Sequence, residues 1–277
     1  MGLRIATNIQ SLSAQRNLSI NSDAQKGSLE KLASGSRIVR AADDAAGLAI
    51  SEKMRATIRT LAQNVRNTND GISLIQTAEG GMNEISNILV RFRELSVQAA
   101  SDTISDVDRE FMNKEFSQLH QEINRIASAT EFNGKKILNG DAKVIELQLG
   151  QNNDISQDRL QLDFRSSNVS SSALGLDGID VKSKGQAQEN LARIDDAIKG
   201  LSGNRADLGA LQNRLKSISA SLQIYNENLS TAKSRIKDVD LATETSEMAK
   251  NNILSQATIS VLSQANQNPN VALKLLG

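Results

Sequence analysis

Apolar residues in steps of four and three organise most of this chain. Leu211, Leu215, Ile218, Leu222, Tyr225, Leu229, Ala232, Ile236 and Val239 keep that alternation without a break, the pattern of a coiled-coil seam along one helical face. The same spacing runs more weakly through Leu191, Ile194, Ile198, Leu201 and Leu208, so one helix is predicted over about 187–237. Gly200, Gly203 and Gly209 interrupt it, each lowering helix propensity by about 1 kcal/mol relative to Ala. Close helix packing is preferred over a hinge as the reason for them. In the N-terminal half, Met54, Ile58, Leu61, Val65, Thr68, Ile72 and Ile75 form a second seam, carried on by Met82, Ile85, Leu89 and Phe92. It predicts a helix over about 44–100, despite Gly80 and Gly81. Ser105 with Asp108 three residues on reads as a capping box. It would open a third helix over about 106–129, with Val107, Phe111, Phe116, Leu119, Ile123 and Ile126 as its apolar positions.

Between the helical halves the period falls to two. Ile145, Leu147 and Leu149 alternate with Glu146 and Gln148, and Leu160, Leu162 and Phe164 with Gln161 and Asp163. Each run reads as a half-buried strand, and the turn-rich Gly150–Asp154 makes them a β-hairpin over about 143–165. Asn133-Gly134 and Asn139-Gly140 mark turns before it, and Ser166–Ser172 reads as loop. Charged breaks at 34–42 and 237–243 suggest a two-stranded connector separating the end segments from the middle. The expected fold is therefore mainly α: an antiparallel helical coiled-coil rod with a small β-hairpin region, plus paired terminal helices. Its divisions are 1–42, 43–237 and 238–277.

The two ends have a character of their own. Asn251 to Leu273 carries no charged side chain, and about half of it is Asn, Gln, Ser or Thr around Ile253, Leu254, Ile259, Val261, Leu262, Val271 and Leu273. Met1 to Ser22 has only Arg4 and Arg16 as charges, with Leu3, Ile5, Ile9, Leu12, Leu18 and Ile20 for apolar contact. Both are too polar for a bilayer and too short of charge for a solvated helix. Two such ends cover one another only in part, so the chain is expected to finish burying itself against copies of itself or a partner. Candidate contacts are Ile5, Ile9, Leu12, Ile253, Leu254, Val261, Leu262, Leu275 and Leu276. Without neighbours, residues 1–35 and 242–277 are too thinly apolar to offset an ordering cost of about 1–2 kcal/mol per residue.

Composition narrows the function classes. Among 277 residues there are five Phe, one Tyr and no Trp, so burial must come from aliphatic helical faces. The 32 Lys and Arg balance 32 Asp and Glu, which leaves no electrostatic footprint for nucleic acid. With no Cys there is no disulfide or thiolate metal site. No stretch reads as a secretory leader or a membrane span. Catalytic chemistry is equally thin. His120, the one histidine, is flanked by Lys114, Gln118, Gln121 and Glu122 and reads as a solvated residue. The pairs Asp43-Asp44, Asp195-Asp196 and Asp238/Asp240 sit at helix ends or polar faces. Asp102, Asp106, Asp108 and Glu110 lack the spacing and central Gly of an EF-hand. No enzyme, cofactor or metal is expected.

Leu32-Ala33-Ser34-Gly35-Ser36-Arg37-Ile38, followed by Ala42-Asp43-Asp44-Ala45-Ala46-Gly47-Leu48-Ala49-Ile50, resembles bacterial flagellin. The likeness extends through Asn69–Ser73, Arg93–Gln98, Glu131–Gly134, Arg205–Ala210, Gln212–Leu215, Ser263–Gln267 and Leu275-Leu276. It implies a structural subunit of an extracellular flagellar filament used for swimming, with an inner layer of terminal helices and a surrounding rod domain. The family's outer variable domains would fall between Leu176 and Gln186, where this chain has almost nothing. The implied partners are further copies of the chain, a flagellar export chaperone and secretion apparatus, and hook-junction and cap proteins. A host innate immune receptor is a further implied partner, with Arg91, Leu95 and Glu115 at the matching positions. The alternative for those residues is that Arg91 pairs with Glu94 while Leu95 packs in the core or a filament contact. A hook–filament junction protein and a signalling coiled coil are the rival readings; the second should have a membrane span and unbroken heptads at its apex.

Overall fold

A computed structural model describes residues 7–141 and 144–274, with side chains for all of these but 166 and 268–274. The elements run α1 (Ile9–Ser34), α2 (Ala45–Ala99), α3 (Asp106–Ala129), β1 (Glu131–Phe132), β2 (Lys135–Lys136), β3 (Ile145–Gln148), β4 (Arg159–Leu162), α4 (Lys184–Lys237) and α5 (Leu241–Lys274). The long seams thus form helices close to the expected bounds. Asn8 Oδ1 accepts from Ser11 N at 3.0 Å to open α1, and Gly35 closes it at φ 67°, a left-handed cap that Gly adopts freely. Ser105 Oγ accepts from Asp108 N to open α3. The α4 helix starts three residues before the expected position because Ser183 and Gln186 form a reciprocal cap, Oγ accepting from Gln186 N and donating to its Oε1 at 2.7 Å.

The chain forms two compact units, residues 1–58 with 227–277 and residues 59–226. In the second unit, α2 contributes Leu74, Ile75, Ala78, Met82, Ile85, Leu89, Phe92, Leu95 and Ala99 to a buried core. The α3 helix adds Phe116, Ile123 and Ala127, and α4 adds Ala187, Ile194, Ala197, Leu201, Leu208 and Leu215. Phe92 and Phe116 stack with centroids 4.0 Å apart. The ion pairs Arg93–Asp195 and Arg205–Glu79 place α4 antiparallel to α2. Val107 and Phe111, expected among the apolar contacts of α3, are exposed instead; that end of the helix is held by polar contacts to the preceding turn.

The expected strands pair antiparallel, Ile145 opposite Leu162 and Leu147 opposite Leu160. The face they cover on α2 follows the seam read from sequence only in part: Leu61 and Thr68 belong to that seam, and Asn64 and Gly71 do not. Leu61, Asn64, Thr68 and Gly71 are buried there, while Val65 and Ile72 are only partly covered. Asn64 Nδ2 donates to Gly150 O at 3.1 Å and Asn67 Nδ2 to Gln148 O at 2.9 Å, and Leu147 comes so close that a β-carbon at Gly71 would collide with it. Amides and a glycine serve here because a hairpin presents backbone carbonyls that need donors. Close packing is seen at Gly71 and at Gly81, which lies under Leu138 and Thr130. It is not seen at Gly200, Gly203 or Gly209, where an added β-carbon would meet nothing within 4 Å; the packing reading of those three is corrected.

The region between Leu176 and Gln186, where outer domains were expected to be missing, and the residues just before it pack onto the core. Val169, Leu176, Ile179 and Val181 are buried, and Arg193 donates to Gly175 O and Asp177 O. In the first unit, the connector reduces to one antiparallel bridge, Ser36 with Asp238, flanked by Arg37 N to Lys237 O at 2.7 Å and Val239 N to Gly35 O at 3.1 Å.

Candidate assembly interface

The terminal helices α1 and α5 pair antiparallel. Asn8 Nδ2 donates to Ala265 O at 2.8 Å, Ser11 Oγ to Asn266 Oδ1 at 2.8 Å, and Asn21 Nδ2 to Thr258 Oγ1 at 3.2 Å. Lys31 and Glu244 close the series near the connector. What the two helices bury against each other is small: Ser11, Ala14, Ser28 and Ala265. Small residues allow close approach but remove little apolar area from water.

Many of the larger apolar side chains are left in water, while Leu18, Leu32 and Met248 are half-buried. Ile9, Leu12, Ile20 and Leu29 on α1 and Leu241, Ile253, Leu254, Ile259 and Val261 on α5 are all exposed, Ile253 to 67%. Leu262 is half-buried. Of the candidate contacts, Ile9, Leu12, Ile253, Leu254 and Val261 therefore share one property, an apolar side chain presented outward from a helix. Ile5, Leu275 and Leu276 lie outside the described residues. So many bulky aliphatics on two helices that hold each other through Ser, Ala and Asn is an unfinished burial. The Asn, Gln, Ser and Thr between them can enter a protein–protein contact without the cost of dehydrating ions.

Charge in this unit concentrates at the connector. Arg40 reaches Glu30 at 2.7 Å, Lys237 reaches Glu52 at 3.3 Å, and Asp43 accepts from the amides of Arg40 and Val39 at 2.8 and 2.9 Å. Those two backbone hydrogen bonds hold the Asp43 carboxyl below its ordinary pKa.

The second group of expected site residues lies in the other unit. Arg91 Nε donates to Glu115 Oε1 at 2.7 Å, and Nη1 donates to Glu94 Oε2 at 2.9 Å. These hydrogen bonds, the one to Glu115 first, push the Arg91 pKa up and, reciprocally, hold that of Glu115 down. Arg91 and Glu115 are thus brought together on an exposed face across α2 and α3. Leu95 is not on it: it is 2% exposed and belongs to the core beneath. The spacing of one turn places a residue near Arg91 but does not say on which side of the seam it falls.

Sequence reading missed Arg109. Its guanidinium is buried at the end of α2, donating to Ala99 O at 2.8 Å, Ser101 O at 2.9 Å and Asp106 Oδ1 at 2.6 Å. It satisfies carbonyls that a helix C-terminus leaves open and opposes the dipole there. An Arg in the first turn of a helix, just after a turn, was the available signal. His120, read as solvated, is half-buried, and its Nε2 has no hydrogen-bond partner among the described residues. Among the described residues no helix is long and apolar enough to cross a membrane, and no group of three His, Asp or Glu could hold a metal ion.

Comparison with known proteins gives the family of the chain. Residues 5–143 match the bacterial flagellin N-terminal helical region and residues 191–276 the bacterial flagellin C-terminal helical region. The chain is 46% identical to a flagellin of Halalkalibacterium halodurans over 269 residues, covering 97% of this chain and 98% of that one. It is 44% identical to a flagellin of Bacillus subtilis, with 99% and 100% covered, and 40% identical to a flagellar filament 30.7 kDa core protein of Treponema maltophilum, with 97% and 98% covered. Among solved structures it resembles Bacillus cereus flagellin, at a TM-score of 0.51 and 34% identity, over 57% of this chain and 88% of that one. A putative flagellar hook-associated protein from Vibrio parahaemolyticus shares the fold alone, with a TM-score of 0.58 at 12% identity, over 71% of this chain and 100% of that one. With both helical regions matched and near-complete coverage of its relatives, the chain belongs to the bacterial flagellins, structural subunits of the extracellular flagellar filament rather than enzymes.

Proposed function

We propose that the outward aliphatic side chains of α1 and α5, with Ile9, Leu12, Ile253, Leu254 and Val261 as principal contacts and the half-buried Leu262 beside them, are what each subunit buries against its neighbours in the filament. Ile5, Leu275 and Leu276 extend that assignment by sequence. In this reading residues 1–42 and 238–277 form the inner helical layer and 43–237 the rod domain around it. The observation that carries it is the mismatch between what the α1–α5 pair buries, chiefly Ser and Ala, and what it leaves in water. A surface that meets a different surface on the next copy generates a helical polymer rather than a closed ring. Each Ile buried in such a contact contributes about 1.5–3 kcal/mol. Ile253→Ser should therefore raise the monomer concentration needed for polymerisation by roughly 10- to 100-fold while leaving monomer unfolding unchanged. Salt-induced polymerisation followed by electron microscopy and light scattering tests this. Unaltered assembly of Ile253→Ser and Leu12→Ser would refute the assignment.

An export chaperone and secretion apparatus, and junction and cap proteins at the filament ends, follow from the family as further partners; the charge-poor outer parts of the terminal helices are the surface they would share with the polymer contact. The Arg91–Glu115 pair supports a second reading, contact with a host innate immune receptor. The exposed guanidinium and carboxylate form its polar part, and Leu95, buried behind them, sets the position of α2 rather than touching the partner. Arg91→Ala should weaken monomer binding to the receptor ectodomain by about 2 kcal/mol, the threshold of a hot spot. Unchanged affinity in a binding assay would remove the site and leave the filament assignment standing.

A further inference from the structure

Two Asn-Gly pairs, at 133–134 and 139–140, stand in opposite environments. Asn133 is exposed and holds φ +49° as the first of the two residues joining β1 to β2. Its carboxamide has no hydrogen-bond partner among the described residues, and a β-carbon at Gly134 would meet nothing within 4 Å. Asn139 is half-buried, and its carboxamide is held at both ends. Nδ2 donates to Asp141 Oδ2, and Oδ1 accepts from Asp141 N at 3.0 Å. Gly140 is also crowded, since a β-carbon there would lie 2.6 Å from Asn168 Nδ2.

We propose that Asn133 is a site of spontaneous deamidation in the folded subunit and that the fold protects Asn139. The Gly134 amide nitrogen attacks Asn133 Cγ, forming the ring C–N bond. The carboxamide C–N bond breaks, and ammonia leaves with the proton lost from the Gly134 nitrogen. Solvent water then opens the cyclic imide at either carbonyl, giving aspartate or isoaspartate at position 133, with no redox change. Glycine at 134 leaves the attacking nitrogen unshielded. Isoaspartate adds a methylene to the main chain, which a two-residue connection holding Glu131 opposite Lys136 cannot absorb in register. The neighbouring Ile137 and Leu138 are fully buried, so the altered turn pulls on the core. In a filament outside the cell, such change accumulates with the age of the subunit.

The full-length protein, native and in guanidinium, is incubated at mildly alkaline pH and mapped by mass spectrometry, with isoaspartyl methyltransferase labelling to score the isomer. The expected result is conversion at Asn133 at a rate similar in both states. Conversion at Asn139 should be slower by roughly tenfold or more in the native protein than in guanidinium, because two hydrogen bonds must break before attack. Equal native rates at the two positions, faster conversion at Asn139, or an Asn133 that reacts only in guanidinium would each overturn the proposal.

Discussion

Gly150 has no room for a side chain: a β-carbon there would lie 2.6 Å from the Asp158 Cα and collide with its carboxylate. Leu149 N and Gly150 N both donate to Asp158 O, and Asp154 N donates to Asp158 Oδ2, so Asp158 has nowhere to move. Gly150→Ala is expected to cost roughly 1–3 kcal/mol, read as a lower urea midpoint. Gly200→Ala, on an exposed helical position with open space, should instead gain about 0.4–1 kcal/mol. Arg109→Ala should cost at least about 1.5–3 kcal/mol, the contribution of a hydrogen bond to a charged group, because the carbonyls of Ala99 and Ser101 lose a buried donor. Glu115 gives a pH signature. Its hydrogen bond from Arg91 holds its folded-state pKa below the ordinary 4.5, so the pair stabilises the fold above that value and the contribution fades as pH falls through the lowered one. Glu115→Gln should remove that part of the stability loss as pH falls below about 4.5 in urea titrations, a small effect at so exposed a site. At this scale the sequence was legible where a residue has one local role, as at the Ser105 cap. It was silent where the role depends on a distant backbone, as for Arg109, Asn64 and Gly150, whose partners are set by tertiary approach.

Helices were legible because their periodicity repeats over many turns, and both ends of α3 and the C-terminal end of α4 coincide with the expected ones. Which parts of a seam are buried within one chain was not legible. Leu215 is fully buried, Leu222 half-buried and Tyr225 exposed, although all three share one unbroken pattern. A coiled-coil stripe states that a face must be covered and leaves open whether the same chain covers it. Leu215→Ala should therefore cost about 2–5 kcal/mol in monomer unfolding, with a clearly smaller loss for Leu222→Ala. Equal losses in thermal melts would show that the seam is uniformly packed. The β-hairpin illustrates the converse: its alternation gave two strands and their apolar faces, yet the surface receiving it on α2 includes Asn64 and Gly71, which no apolar pattern can flag.

For the whole molecule, the terminal helices decide how the subunit behaves alone and in company. The α1–α5 pair is joined by a few hydrogen bonds and by Ser and Ala contacts. Hydrogen bonds of this kind contribute only about 0.5–1.5 kcal/mol each, against about 1–2 kcal/mol per residue to order the backbone. Pairing alone therefore leaves these helices at the low end of local stability, where opening precedes global unfolding. The unit formed by 59–226 has a continuous aliphatic and aromatic core and needs no neighbour. In dilute monomer, limited proteolysis should remove the segments of α1 and α5 first and leave a resistant fragment close to 59–226. In polymer, where the outward Ile9, Leu12, Ile253 and Val261 are covered, the same sites should become resistant together. The cleavage pattern separates two causes, because a weak helix would stay sensitive after assembly, whereas a helix completed by its neighbours would not. Equal resistance of the ends in monomer and filament would mean that the α1–α5 pair is stable by itself, and the assignment of its outward side chains to assembly would lose its energetic basis.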